Sequence, residues 1–362
     1  MIRKILKQLK TTLVRFQPTL MAILIGFVIG GIIIALSGYN PFEAISVMLQ
    51  GGFGNPFYLT TTLTRSIPIA FAGIAAALAW GSGYPSLGAA GQMELGALTT
   101  AIVAVTVPGP PIFVLAVSIT AGMTAGVAYS LLSAFISEKY KLNLLIATLM
   151  MNYIASNIAS YFTQYVFRDP FAADSSAIQT QRIYNSILPI MFKGYTLHYG
   201  FLIVIFVVGL IWFMTRKTTF GYRARMGGLN KNFAQYGGIN SRKMMLRVLA
   251  LSGMVAGLGG AVQVLGTRHR YVEEMISSPG FAWSGIIASL MSNTHPIGIF
   301  ISSIFLAGLA TGGGTMERHV GVPSEITFVI QSVITLFITA RLVISHRKRN
   351  GVKVVVEEAI DA

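Results

Sequence analysis

Long apolar runs alternate with short polar ones along most of this chain. Leu20–Leu36, Ile112–Ile136, Phe201–Met214 and Phe328–Ile338 are the plainest runs. A helix that crosses a bilayer needs about 20 predominantly apolar residues. With their flanks, these runs and the weaker ones between them predict spans at 19–37, 60–80, 92–107, 144–167, 199–215, 245–266, 297–311 and 325–344. A further span follows the Pro108-Gly109-Pro110-Pro111 turn and ends near Ser137. A short apolar run ending at Met291 completes about ten, so the expected fold is an all-α polytopic membrane protein. Asn40–Gln50 reads as a short interfacial helix and 168–198 as a long polar loop.

Two stretches interrupt the helical pattern. Gly and Pro crowd residues 81–91 (Gly81-Ser82-Gly83-Tyr84-Pro85 onward), and residues 279–296 carry Pro279-Gly280 at one end and Pro296 at the other. Such composition cannot continue a helix. Broken helices at membrane depth survive only where they line a cavity or pack inside protein, so both breaks point to a transport pathway. Small-xxx-small spacings such as Gly122/Gly126 and Gly253/Gly257 indicate close helix contacts and carry no information about substrate.

Composition strengthens the membrane reading. The chain of 362 residues is 54% hydrophobic and 11% charged, about half the charged fraction of a globular domain. A net charge of +15 suggests nucleic acid until its distribution is considered. Of 27 Lys and Arg, twenty fall in four clusters: before the first span, at 139 and 141, in 216–247, and after 340. Basic loops mark the cytoplasmic side, so both termini and 216–247 are expected inside, 168–198 outside, and no nucleic-acid partner is expected. The basic-then-apolar N-terminus reads as an uncleaved first helix. The expected organisation is a cytoplasmic N-terminus (1–18), a transmembrane domain (19–344) and a cytoplasmic tail (345–362).

The connector 216–247 holds eight basic residues and no acid. Inside it, Leu229, Phe233, Tyr236 and Ile239 follow the three-to-four spacing of a helix that lays one face into a groove. Glycines at 227–228 and 237–238 would let such a helix enter and leave sharply. The bland alternative is a helix lying on the membrane. No Gly-x-x-x-x-Gly-Lys-Ser/Thr is present, so the chain holds no P-loop for ATP. Cysteine is absent, the five histidines show no metal spacing, and no hydrolase motif occurs, so no catalytic residue, metal site or bound cofactor is expected.

Glu94 is the one acid in the apolar body of a span. An intramembrane acid is functional by default, against the alternative of a solvated helix mouth three residues from Gly91; Arg65 is a candidate partner. Gln92, Asn152 and Asn157 offer amides, and Phe281 and Trp283 offer rings that stack on bases or sugars. Helix–helix hydrogen bonding or interfacial anchoring competes for each, most strongly for Tyr153 and Trp283.

Several segments carry a family resemblance. Leu87-Gly88-Ala89-Ala90-Gly91-Gln92 with Gly96-Ala97-Leu98, Asn143 with Thr148–Ala155, Gly221–Ile239, Gly280-Phe281 with Gly285–Ala288, and Val322-Pro323 with Glu325-Ile326 and Val329–Gln331 resemble the permeases of bacterial ABC importers for nucleosides and simple sugars, related to ribose and branched-chain amino-acid permeases. The likeness runs over about residues 40–345. It implies a type II importer fold and a coupling segment (216–243) that includes Leu229, Asn230, Phe233, Ala234, Tyr236, Gly238 and Ile239. It also implies a cytoplasmic ABC ATPase holding ATP and Mg, a second permease subunit (a heterodimer favoured over a homodimer), and an external substrate-binding lipoprotein. Ala90 stands where this family usually has Glu, and Glu94 where it is apolar; the acid has moved one helical turn on one face. A self-sufficient secondary transporter with Glu94 as proton carrier is the competing reading, and a membrane scaffold a weaker third.

Overall fold

The computed structural model describes residues 21, 23–170, 177–323 and 325–337. The expected terminal segments, 1–18 and 345–362, and the end of the last span lie outside the described residues. Among those described, helix accounts for nearly all regular structure, and β-pairing is confined to three isolated bridges. The helices are α1 (Ile23–Leu36), α2 (Pro41–Phe53), α3 (Pro56–Gly81), α4 (Ala89–Thr106), α5 (Pro111–Lys139), α6 (Leu144–Tyr161), α7 (Gly200–Lys217), α8 (Thr219–Leu229), α9 (Lys231–Tyr236), α10 (Ser241–Gln263), α11 (Phe281–Met291), α12 (Pro296–Val320) and α13 (Glu325–Phe337).

A helix lies at each of the ten expected spans. Six of them (α3, α5, α6 with its extension, α7, α10 with its extension, and α12) are long and apolar enough to cross a membrane. Of the other four, α4 is more polar and α1, α11 and α13 are shorter. Two π-helical turns, Phe162–Val166 and Val264–Arg268, extend α6 and α10 without a sequence signal that announced them. Residue 311 does not end α12, which runs through Gly312-Gly313-Gly314 to Val320. Glycine keeps its helical hydrogen bonds where no water competes for the backbone.

The chain divides into two compact units. In the smaller, residues 1–55 with 308–362, glycines admit close neighbours: Gly308 meets the Phe53 ring, Gly312 the Met48 carbonyl and Gly313 the Thr327 side chain. In the larger, residues 56–307, α3 and α10 form the centre. Their spanning windows are 89% and 83% buried, against 28% for α5, α6 and α7, whose outer faces are left for lipid. Helix α10 packs on α5, α4 and α3, and α3 packs on α11.

Small residues set the spacing of this centre. Gly96 of α4 lies against Gly257 of α10, and Gly126 of α5 lies against Gly253 and Gly257. A β-carbon at Gly96 would sit 2.7 Å from the Gly257 Cα. Close backbone approach of this kind drives helix association where lipid competes equally for apolar side chains. The spacings read from sequence as contact seams are therefore contact seams between α4, α5 and α10.

The two rims of the larger unit differ. At one, the connector follows α7, and Arg242 at the start of α10 pairs with Glu138 at the end of α5 (2.6 Å), the one ion pair among the described residues. At the other, the polar loop lies along the segment that follows α10: Thr180 donates to the Tyr271 carbonyl (2.9 Å), Ile183 to that of His269 (2.7 Å) and Leu188 to that of Leu265 (2.9 Å).

Gly96→Val forces a branched side chain onto the α10 backbone, an overpacking that costs about 1–3 kcal/mol. Its detergent-solubilised melting temperature is expected to fall. Gly209→Val, on α7 where a β-carbon meets open space, is expected to leave it unchanged.

Candidate functional site

The early break is narrower than 81–91. Gly81 closes α3, residues 82–88 are non-helical, and α4 begins at Ala89. Side chains satisfy the backbone groups that the missing helix leaves open. Asn152 of α6 donates from Nδ2 to the Leu87 carbonyl (2.8 Å), and its Oδ1 accepts from the Gly91 N–H (2.9 Å). One turn earlier on α6, Thr148 Oγ1 accepts from the Leu87 N–H (3.0 Å). Trp80 donates from its indole to the Ser86 carbonyl (2.9 Å). Thus Thr148 and Asn152, four apart on one face of α6, clamp the break and the first turn of α4.

That clamp orients α4 so that Ala90 and Glu94 face a cavity of ≈ 440 Å³. Glu94 is 1% exposed. Its Oε1 accepts a hydrogen bond from the Tyr271 hydroxyl, and its Oε2 accepts from Ser277 Oγ at 2.9 Å. A buried carboxylate needs such donors. Glu273, which accepts from Ser160, and Glu274 lie on the same wall. Asn157 also lines the cavity; its Nδ2 donates to the Tyr153 carbonyl (2.8 Å) of its own helix. Tyr153 and Trp283, 64% and 53% exposed, supply ring faces. Among the described residues the wall contains carboxylates, amides, hydroxyls and rings, and no Lys, Arg or His.

The structure therefore brings together Glu94, Asn152, Asn157 and Trp283. It does not place Gln92 or Phe281 on this wall. Two positions from Glu94, Gln92 points elsewhere: it is buried, and its Oε1 has no partner among the described residues. Phe281 packs with Ile69 and Ala307 in a small core cluster. Arg65 forms no ion pair with Glu94, whose partners are the two hydroxyls. Tyr271, Ser277, Glu273 and Glu274 were not singled out from sequence. Their one signal was position, immediately before the break at Pro279-Gly280.

The connector forms two helices, α8 and α9. Asn230 caps α9, its Oδ1 accepting from the Phe233 N–H at 3.0 Å. Leu229, Phe233 and Tyr236 stand out at 75%, 61% and 93% exposure. The fourth member of the expected face turns inward. Gly238, in the left-handed conformation (φ 76°), reverses the chain, and Ile239 packs with Ala224, Met244 and Val248. Ala234 is buried. Glycines 227 and 228 do not begin a helix; they lie within α8. Gly228 rests on the early break, where a β-carbon would fall 2.7 Å from the Ser82 carbonyl carbon. Gly83, with φ 74°, lies opposite it, and the Tyr84 hydroxyl donates to the Ser241 carbonyl (2.9 Å) at the start of α10.

A bundle of spanning helices, a polar cavity beside a broken helix, and an exposed apolar handle on a basic connector define a multi-pass membrane permease. Residues 58–339 match the family described as "Branched-chain amino acid transport system / permease component", and the chain belongs to it. It is 27% identical to the guanosine ABC transporter permease protein NupP of Bacillus subtilis, over 92% of this chain and 96% of that one. It is 26% identical to the glucose ABC transporter permease protein TsgB13 of Haloferax volcanii, over 89% and 87%. With the nucleoside ABC transporter permease protein NupB of Lactococcus lactis it shares 25% identity, over 90% and 91%. The chain is a transport component rather than a catalyst.

Asn152→Ala strips the Leu87 carbonyl and the Gly91 N–H of their partners, and each unsatisfied group costs about 1–3 kcal/mol. A clear loss of thermal stability is expected. Asn157→Ala, which removes only a bond to its own helix, is expected to melt with the wild type. Equal melting of both variants would show that Asn152 does not hold the break.

Proposed function

We propose that this chain forms the translocation pathway of an ATP-driven ABC importer for nucleosides or simple sugars. The cavity at Glu94 carries the reading. Carboxylates accept from hydroxyls, the Asn157 amide can both accept and donate, and rings stack on a base or a sugar face. A wall with acids and no cations suits a neutral, hydroxyl-rich solute and disfavours an anion. The relatives named for guanosine, nucleosides and glucose support the same class.

The energy comes from a partner. Leu229, Phe233 and Tyr236 are the contact face for a cytoplasmic ABC ATPase, which binds the ATP and Mg; Asn230, Ala234, Gly238 and Ile239 shape and seat that face. A second permease subunit, a different chain rather than a copy, and an external binding lipoprotein complete the assembly. Both termini and the connector are cytoplasmic, and 168–198 is external, as the basic clusters argue. The organisation into 1–18, 19–344 and 345–362 follows from that orientation. A proton-coupled secondary transporter has no support from the relatives or from the family.

Reconstituted with its partner subunits and offered a labelled panel of nucleosides and sugars, the wild type is expected to import with ATP and not without it. Glu94→Gln is expected to lower uptake several-fold while the complex still assembles. Phe233→Asp places a charge in an apolar contact, which costs several kcal/mol if the charge is buried unpaired. That variant is expected to lose both uptake and co-purification of the ATPase. Normal import by Phe233→Asp at normal expression would remove the connector from the coupling role. Import driven by a proton gradient alone would overturn the reading as a whole.

A further inference from the structure

A second cavity, of ≈ 280 Å³, opens where α3, α7, α8 and the turn before α12 meet, at the connector's rim. Among the described residues its wall includes the guanidinium residues Arg216 and Arg225 and no carboxylate. Arg225 is tethered: its Nη2 donates to the Thr215 carbonyl at 3.0 Å, which leaves its other N–H donors free to turn toward a ligand. Arg216 makes no hydrogen bond or ion pair within the chain among the described residues. Asn293 and Thr294 add an amide and a hydroxyl to the same wall, and the first turn of α12 at Pro296 closes it. The positive end of that 25-residue helix favours negative charge. Burial first, and then the charge of Arg216, lower the pKa of neighbouring His295, which places Arg216 close to that turn.

The surroundings of the cavity say what kind of anion fits. Three residues before Arg216, Phe213 is 53% exposed on the same face of α7, and exposed Leu210 and Phe206 continue that helix toward the opposite rim. On the other side, Ile297 is exposed at the start of α12. A ligand with a phosphate between the arginines would meet apolar surface directly beyond it. Basic pockets between spanning helices at a membrane rim take lipid headgroups in this way.

We propose that this pocket binds the phosphate of an anionic phospholipid, with the guanidiniums of Arg216 and Arg225 on the headgroup and the acyl chains along α7. The bound lipid ties the connector to the turn between α11 and α12. This assignment stands apart from the choice of transported solute and from the docking of the ATPase.

The test is native mass spectrometry of the full chain taken from vesicles of phosphatidylcholine and phosphatidylglycerol, with titration of phosphatidylglycerol into the delipidated protein. Wild type is expected to retain phosphatidylglycerol through a detergent wash. One arginine near a membrane surface contributes about 1 kcal/mol to anionic-lipid binding, so Arg216→Gln should weaken binding roughly fivefold and Arg216→Gln with Arg225→Gln roughly thirtyfold. Arg242→Gln, at the same rim but in the ion pair with Glu138, should bind as wild type does. Because Arg216 has no bond among the described residues, its single variant reports on the ligand even if the double variant misfolds. Retention by Arg216→Gln equal to wild type overturns the assignment. Complete displacement of phosphatidylglycerol by millimolar inorganic phosphate overturns the lipid as ligand and leaves a free phosphate in its place.

Discussion

Inside a bilayer no water satisfies a backbone group released from a helix, so a broken helix must be rebuilt from side chains. Here Asn152 and Thr148 do this. They bond the N–H and carbonyl of Leu87 and the N–H of Gly91, at 3.0, 2.8 and 2.9 Å. The direction of α4 depends on those bonds, and the direction of α4 determines that Glu94 enters a cavity rather than a seam. The same seven residues of break touch the connector through Gly83 and Tyr84. One short irregular segment thus has the cavity on one side and the connector on the other.

The cavity is held from the opposite rim as well. Tyr271 and Ser277, which bond Glu94, belong to the segment after α10, and the polar loop at 178–188 is hydrogen-bonded along it. Glu94 is thus tied toward both rims, through the Thr148 and Asn152 bonds at the start of its own helix and through Tyr271 and Ser277. Ala90 and Glu94 share the cavity-facing side of α4, so the acid stands one turn further along the same wall.

Much of the fold was legible because lipid imposes a simple rule on composition. Apolar runs of spanning length, punctuated by Gly and Pro, located all ten expected helices, and the start of α10 in the basic connector meets the end of α5, next to the basic pair at 139 and 141, through Arg242 and Glu138. What was not legible depended on contacts distant in sequence. Asn152 reads as an amide free for substrate, because nothing local reveals that Leu87 and Gly91 occupy both ends of it. Gln92 and Glu94 look equivalent until the helix is oriented, and then they diverge. Phe281 looked like a stacking ring and is a packing residue against Ile69 and Ala307. Tyr271 lay in a stretch with no periodicity. In the connector, the apolar spacing located Leu229, Phe233 and Tyr236 well, but it could not show that Gly238 would turn Ile239 inward. Gly227 and Gly228 looked like helix punctuation; Gly228 in fact makes room for the break's backbone, a role visible only in three dimensions.

Transmission through the contact between Gly228 and the early break is the centre of this account. The most direct test is the number of solute molecules imported per ATP hydrolysed by the assembled transporter carrying Gly228→Val. The added side chain would push against the Ser82–Gly83 backbone without altering the exposed faces of Leu229, Phe233 and Tyr236. The Gly228→Val complex is expected to assemble and hydrolyse ATP but to import far less solute per ATP. An unchanged ratio, with normal assembly, would contradict it.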